Sequence, residues 1–156
     1  MTLNNEKLPI LNLRFNLKRQ IYLKRKMNAE AALFRKKMAF TGERLEKWVL
    51  EGKYRIKYNS MDEILEELGV TSDELNLYCS QAFNKRFLSW RKELRIEDAK
   101  RMLISSPETP ASKIGESLGI SDKADFRHQF KSLTGLSPSE WREKNLKKKI
   151  KKNLEY

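Results

Sequence analysis

One cysteine, one histidine and four prolines in 156 residues leave little material for several kinds of chemistry. Cys79 alone closes no internal disulfide and builds no cysteine-based zinc site, which suits a reducing cytoplasm. His128 stands alone as well. There is no glycine-rich phosphate loop and no set of metal-ligating residues at useful spacing, so the expectation is a protein that is not an enzyme and holds no catalytic residue, metal or cofactor. No apolar run approaches the roughly 20 residues that a membrane-spanning helix needs. The basic N-terminus lacks the uninterrupted apolar stretch of a signal peptide. Strand-like alternation is limited and glycine is scarce, so the fold class expected is all-α. The hydrophobic share of 39% supports a core, but 35% charged residues keep that core thin. The length fits one ordinary domain with an arm, or two very small domains.

What is abundant is positive charge, and it is unevenly placed. The formal net charge is +12. Residues 1–40 hold ten Lys and Arg against two Glu, a net +8, and residues 137–156 hold seven against three, a net +4. Residues 41–136 hold sixteen of each sign and are neutral. Basic ends attract phosphate through counterion release with little regard to sequence. Specific reading must therefore come from the neutral middle.

The middle contains a duplicated pattern. Leu68-Gly69-Val70-Thr71 precedes a helical stretch running to about Asn84, and Leu118-Gly119-Ile120-Ser121 precedes another running to about Gly135. In the first unit Ser60 and Glu63 are spaced as a capping box, and Ile64, Leu65 and Leu68 form a buried face. Gly69 suits the left-handed residue that ends a helix, and Thr71 with Glu74 starts the next one almost at once. In the second unit Pro110 suits a helix start, Ile114 and Leu118 face inward, Gly119 terminates, and Asp122 with Asp125 caps the following helix. This register aligns Leu75 with Phe126 and Cys79 with Phe130. A helix, a tight glycine turn and a second capped helix make a helix-turn-helix, and two of them point to duplex DNA. Between them an uninterrupted helix, about residues 86–104, turns Phe87, Trp90, Leu94, Ala99 and Leu103 to apolar surroundings. At 1.5 Å per residue it is roughly 28 Å long, which would hold two recognition helices about one DNA turn, near 34 Å, apart.

The ends are less specific. Residues 1–9 read as unstructured. Leu11, Leu13, Phe15 and Leu17 alternate with polar residues, a short strand signal. From about residue 20 to 40, Leu23, Met27, Ala31, Phe34 and Met38 form one apolar stripe on a basic helix. Three readings stay open for it: a helix packed on the body of the protein or on a twin as a homodimer, a membrane-surface helix, or a cytoplasmic stalk below an upstream membrane or sensor domain. Thr41-Gly42 is expected to break the helix, and a new helix of about twelve residues follows with Leu45, Trp48 and Val49 inward. Ser137-Pro138-Ser139-Glu140 caps a last short helix, and the cationic tail from 145 to 156 is either a solvated helix or a phosphate-contacting extension.

Two stretches carry a family resemblance. The run from Phe87 through Trp90, Arg95, Ile96, Ala99 and Leu103 resembles the linker helix of the AraC/XylS family of bacterial transcription regulators. The run from Ile114 to Trp141, with Gly119, Phe126, Phe130, Thr134-Gly135 and Ser137-Pro138-Ser139-Glu140-Trp141, is similar to that family's C-terminal signature. The resemblance covers about residues 42–144. It implies a seven-helix domain with two helix-turn-helix motifs (about 60–85 and 110–135) that binds promoter DNA, with RNA polymerase a possible further partner. Residues 1–40 do not resemble the ligand-binding sensor domains of many members.

On a recognition helix the first turn and the outward face reach base edges. These are Ser72, Asp73, Asn76 and Leu77 in the first unit, and Lys123, Ala124, Arg127, His128 and Lys131 in the second. Asn76 has the shape to pair with adenine, and Arg127 or Lys123 with guanine. Asp73 and Glu74 repel a phosphate backbone, and family members often carry a basic or polar side chain at the Leu77 position. The second unit is therefore expected to do most of the reading. Trp48, Trp90, Trp141 and Cys79 read as core, and Arg95 as half of an ion pair with Asp98 or Glu67. The competing reading is a basic interaction module that binds a protein partner and touches nucleic acid or anionic membrane without sequence preference.

Overall fold

The structure, a computed structural model, describes the backbone of residues 7–154 and the side chains of 14–148, 150 and 151. Among the described residues it is all-helical: α1 (Lys7–Leu50), a single 3₁₀ turn (Lys53–Arg55), α2 (Met61–Leu68), α3 (Ser72–Phe83), α4 (Phe87–Ser105), α5 (Ala111–Ser117), α6 (Lys123–Thr134) and α7 (Pro138–Leu154). The chain falls into two compact units, residues 1–40 and 41–156.

The helix α1 corrects two expectations. The Leu11–Leu17 alternation is helical, not a strand. Four alternating positions are a weak signal, and the Leu, Arg, Lys and Gln around them are good helix formers that extend a helix already under way. Residues 1–6 of the stretch read as unstructured lie outside the described residues, while 7–9 are in the helix. Nor does Gly42 break α1. It costs about 1 kcal/mol against alanine in a helix, but here the ring of Tyr78 from α3 packs on its bare Cα. A methyl group at Gly42 would lie 2.8 Å from that ring.

Two hydrophobic cores follow, one for each helix-turn-helix. The first gathers Leu45, Trp48, Tyr54, Ile64, Leu68, Leu75, Cys79 and Phe87. The second gathers Ile96, Ala99, Leu103, Ile114, Leu118, Ile120, Phe126 and Phe130. Helix α4 contributes to both, its first turn to one and its later turns to the other. Each core has its own aromatic contacts: Phe83 stacks on Trp90 with centroids 4.6 Å apart, while Phe130 meets Trp141 edge-on at 6.0 Å.

The caps are where the spacing placed them. Thr71 and Glu74 form a complete reciprocal box at α3, and Ser137 and Glu140 do the same at α7. Ser60 accepts from Glu63 N, but the Glu63 carboxylate reaches back one residue further, to Asn59. Helix α7 is not short; it runs 17 residues. No helix among the described residues is long and apolar enough to cross a membrane.

Candidate nucleic-acid interface

Helix α6 is built to present one face. Asp122 caps it by accepting from Asp125 N at 2.6 Å, leaving amides of the first turn free and the dipole's positive end outward. Phe126 and Phe130, four apart, are buried in the second core. The opposite face then carries Ala124, Arg127, His128 and Lys131, spaced by three, one and three residues. With Ser132 these line an open depression of about 410 Å³. Lys123, Arg127, His128 and Lys131 are all exposed. None of their side chains makes a hydrogen bond or ion pair within the described residues. Their charge is still felt nearby, since Lys131 and Arg127 help hold the Glu140 carboxyl below its usual range, after its hydrogen bonds from Ser137.

Helix α3 has the same scaffold and different chemistry. Leu75 and Cys79 are fully buried, and burial pushes the Cys79 thiol up to about 11. Its outward row is Asp73, Asn76, Leu77 and Ser80, the register equivalents of Ala124, Arg127, His128 and Lys131. Ser72 and Asp73 are exposed, and Leu77 is 42% exposed. Asn76 is only half-exposed, and its amide is occupied. Nδ2 donates to the Ser72 carbonyl at 3.0 Å, and Oδ1 accepts from Phe87 N at 3.2 Å. Asn76 thus caps the start of α4. The expectation that it offers both ends of its amide to adenine does not fit this arrangement.

A group of buried charges lies beneath the two motifs, and spacing alone does not reveal it. Asp98, 2% exposed, accepts from Arg55 Nε at 2.7 Å and from Tyr54 and Arg101. Burial opposes its ionisation, but the hydrogen bonds from Tyr54, Arg101 and Arg55 outweigh it, so the carboxyl stays below its usual range. Arg95 does not pair with Asp98 or Glu67. It donates to two backbone carbonyls, Tyr54 O at 2.6 Å and Ile56 O at 2.8 Å. Glu67 pairs instead with Lys53 at 2.5 Å. Arg91, 7% exposed, donates to the same two carbonyls and lies 5.6 and 5.2 Å from the rings of Trp48 and Tyr58. Burial, with the nearby Arg95 charge, pulls the Arg91 pKa down to about 10. No cluster of His, Cys, Asp and Glu able to hold a metal occurs among the described residues.

Comparisons with known proteins agree with this architecture. A family described as a helix-turn-helix domain matches residues 64–144, which is half of the chain. The arabinose operon regulatory proteins of Salmonella typhimurium and Escherichia coli K12 are each 44% identical to it over 55 residues. That is 35% of this chain and 19% and 18% of those proteins, so the chain matches less than a fifth of the length of these curated relatives. Among solved structures, the C-terminal domain of the two-component response regulator yesN from Fusobacterium nucleatum superposes with a TM-score of 0.57. It is 24% identical, over 65% of this chain and 97% of that one. The C-terminal domain of AraT, a response regulator from Geobacillus stearothermophilus, gives 0.55 and 22%, over 71% and 84%. The protein is a double helix-turn-helix protein. It belongs to the AraC-type family of DNA-binding transcription regulators.

Proposed function

We propose that this chain is a sequence-specific reader of double-stranded DNA that regulates transcription, with α3 and α6 entering two successive major grooves. The observation that carries the reading is the solvent-facing row on α6. Arg127, His128 and Lys131 hold donors that the fold does not use, on a helix whose other face is locked into a core. Arg127 has the fork that matches guanine O6 and N7, and Lys123 sits at the first turn, where base edges and phosphates are both in reach. His128 donates or accepts at a base or a phosphate, and Lys131, one turn on, suits a phosphate.

The α3 helix plays the lesser part. Leu77 offers an apolar contact to a thymine methyl, Asp73 can accept from cytosine N4, and Ser72 can donate to a phosphate. Asn76 serves by fixing α3 to α4. The basic ends add affinity without sequence preference.

Selection from random duplex DNA with the whole chain, at about 150 mM salt where the phosphate term is weakened, tests this. Enrichment of two short boxes about ten base pairs apart supports the reading. Binding without any enriched sequence would overturn it in favour of a basic interaction module.

A further inference from the structure

Two helix-turn-helix units joined by one helix share a single connection, yet reading two grooves at once requires a fixed angle and distance between them. The segment Tyr54–Lys57, which runs from the 3₁₀ turn into the loop before α2, supplies a second connection. Its root is in the first core, where Tyr54 is buried and Tyr58 packs. Its carbonyls at Tyr54 and Ile56 receive four hydrogen bonds of 2.6–3.1 Å from Arg91 and Arg95 of α4. Its Arg55 side chain pairs with Asp98, two turns further along the same helix from Arg91. At its far side it rests on the glycine turn of the second unit.

That last approach is close. Gly119 has φ +76, and a methyl group on it would lie 2.9 Å from the Arg95 guanidinium and 3.1 Å from the Arg55 carbonyl carbon, with the carbonyl oxygen nearer still. Two residues on, the Lys57 ammonium donates to Ser121 Oγ at 3.0 Å. Gly69, which ends the matching helix of the first unit, meets only the end of the flexible Arg44 side chain. The tight turn of the second unit is therefore a seat for the Tyr54–Lys57 segment as well as a helix terminator.

We infer that the Tyr54–Lys57 segment is a strut that sets the spacing and angle of the two DNA-reading units, with Arg95 as the positioning residue that ties it to α4 and to the Gly119 turn. Arg95 suits this role because its planar fork spans two carbonyls in one geometry, which a lysine ammonium does not reproduce. It touches no proposed base contact. Its effect on DNA is to restrict which separation of boxes the protein accepts, and this consequence rests on the two-groove reading proposed above.

Two measurements on the full chain separate the strut from that reading. The first needs no DNA. Spin labels at Gln81→Cys on α3 and Ser132→Cys on α6, with buried Cys79 left in place, report the distance between the two helices. Arg95→Gln is expected to widen that distance distribution at least twofold, and Arg95→Lys to widen it less. An unchanged width in a folded Arg95→Gln protein overturns the strut. The second measures affinity for duplexes whose selected boxes are separated by 8 to 13 base pairs. The parent is expected to prefer one separation by at least tenfold, and Arg95→Gln to flatten that preference to within threefold while keeping its affinity for an isolated second-unit box. Equal loss of affinity at every separation, with the preference intact, would mean that Arg95 serves folding only and would overturn the inference. If no boxes are selected at all, the two-groove reading fails and the distance measurement still decides the strut.

Discussion

Gly119 and Gly135 share φ +76, which makes them a matched pair for separating backbone strain from steric contact. A methyl group at Gly135 meets nothing within 4 Å, whereas at Gly119 it runs into the Arg55 carbonyl and the Arg95 guanidinium. Gly135→Ala is therefore charged only with placing an L-residue in the left-handed region, about 1–2 kcal/mol. Gly119→Ala carries the same strain plus an overpacking cost of about 1–3 kcal/mol, since its neighbour is backbone held by four hydrogen bonds. Urea unfolding followed by circular dichroism should show Gly119→Ala less stable than Gly135→Ala by about 1–3 kcal/mol. At roughly 2–4 °C per kcal/mol for a chain of this size, its Tm should lie about 2–12 °C lower. Equal destabilisation of the two variants would refute the steric reasoning, because strain alone would then account for both.

Other expectations follow from the same geometry. Asp98→Asn removes the buried carboxylate that faces Arg55 and Arg101 and should cost about 3 kcal/mol near neutral pH. Because the Asp98 carboxyl is held below its ordinary range in the folded state, its contribution is complete above the unfolded value of about 3.9 and is lost as pH falls through the lowered folded value. The stability gap between parent and variant should accordingly close in acid; a gap that persists there would contradict the assignment. Asn76→Ala should lower stability by about 1 kcal/mol through loss of the α4 cap while leaving the selected DNA sequence unchanged; a relaxed base position would return Asn76 to the reading face. Arg127→Ala should relax one position of one box by about 1–3 kcal/mol. Replacing Lys24, Arg25 and Lys26 by Gln should shallow the salt dependence of DNA binding by about 0.9 in slope for each phosphate no longer neutralised, without altering the preferred boxes.

Most of the second unit was legible because its signals are local. Gly119, Asp122 with Asp125, and Phe126 with Phe130 each constrain the backbone within a few residues, and together they place Arg127, His128 and Lys131 outward. Helix α1 was less legible. Its apparent strand is four alternating leucine and phenylalanine positions, a pattern that a helix absorbs without cost. Its apparent break at Gly42 depends on Tyr78, 36 residues away, which no local rule can supply. The roles of Asn76 and Arg95 were hidden for the same reason. Each side chain had a local reading, base contact for one and ion pair for the other, and each is taken instead by backbone groups: Ser72 O of its own helix and Phe87 N of α4 for Asn76, and Tyr54 O and Ile56 O for Arg95. Buried Arg91 and Asp98 carried one available signal: both fall on the inward stripe of α4, between Phe87 and Leu103, where a charge requires a partner.

The central claim is that one chain reads two grooves, unequally. Missing-base interference on the selected duplex tests it most directly, because it shows which bases matter and how far apart they lie. Two clusters about ten base pairs apart are expected, the stronger one losing one base position in Arg127→Ala and the weaker one unaffected by Asn76→Ala. A single cluster, unchanged by Arg127→Ala, would contradict it.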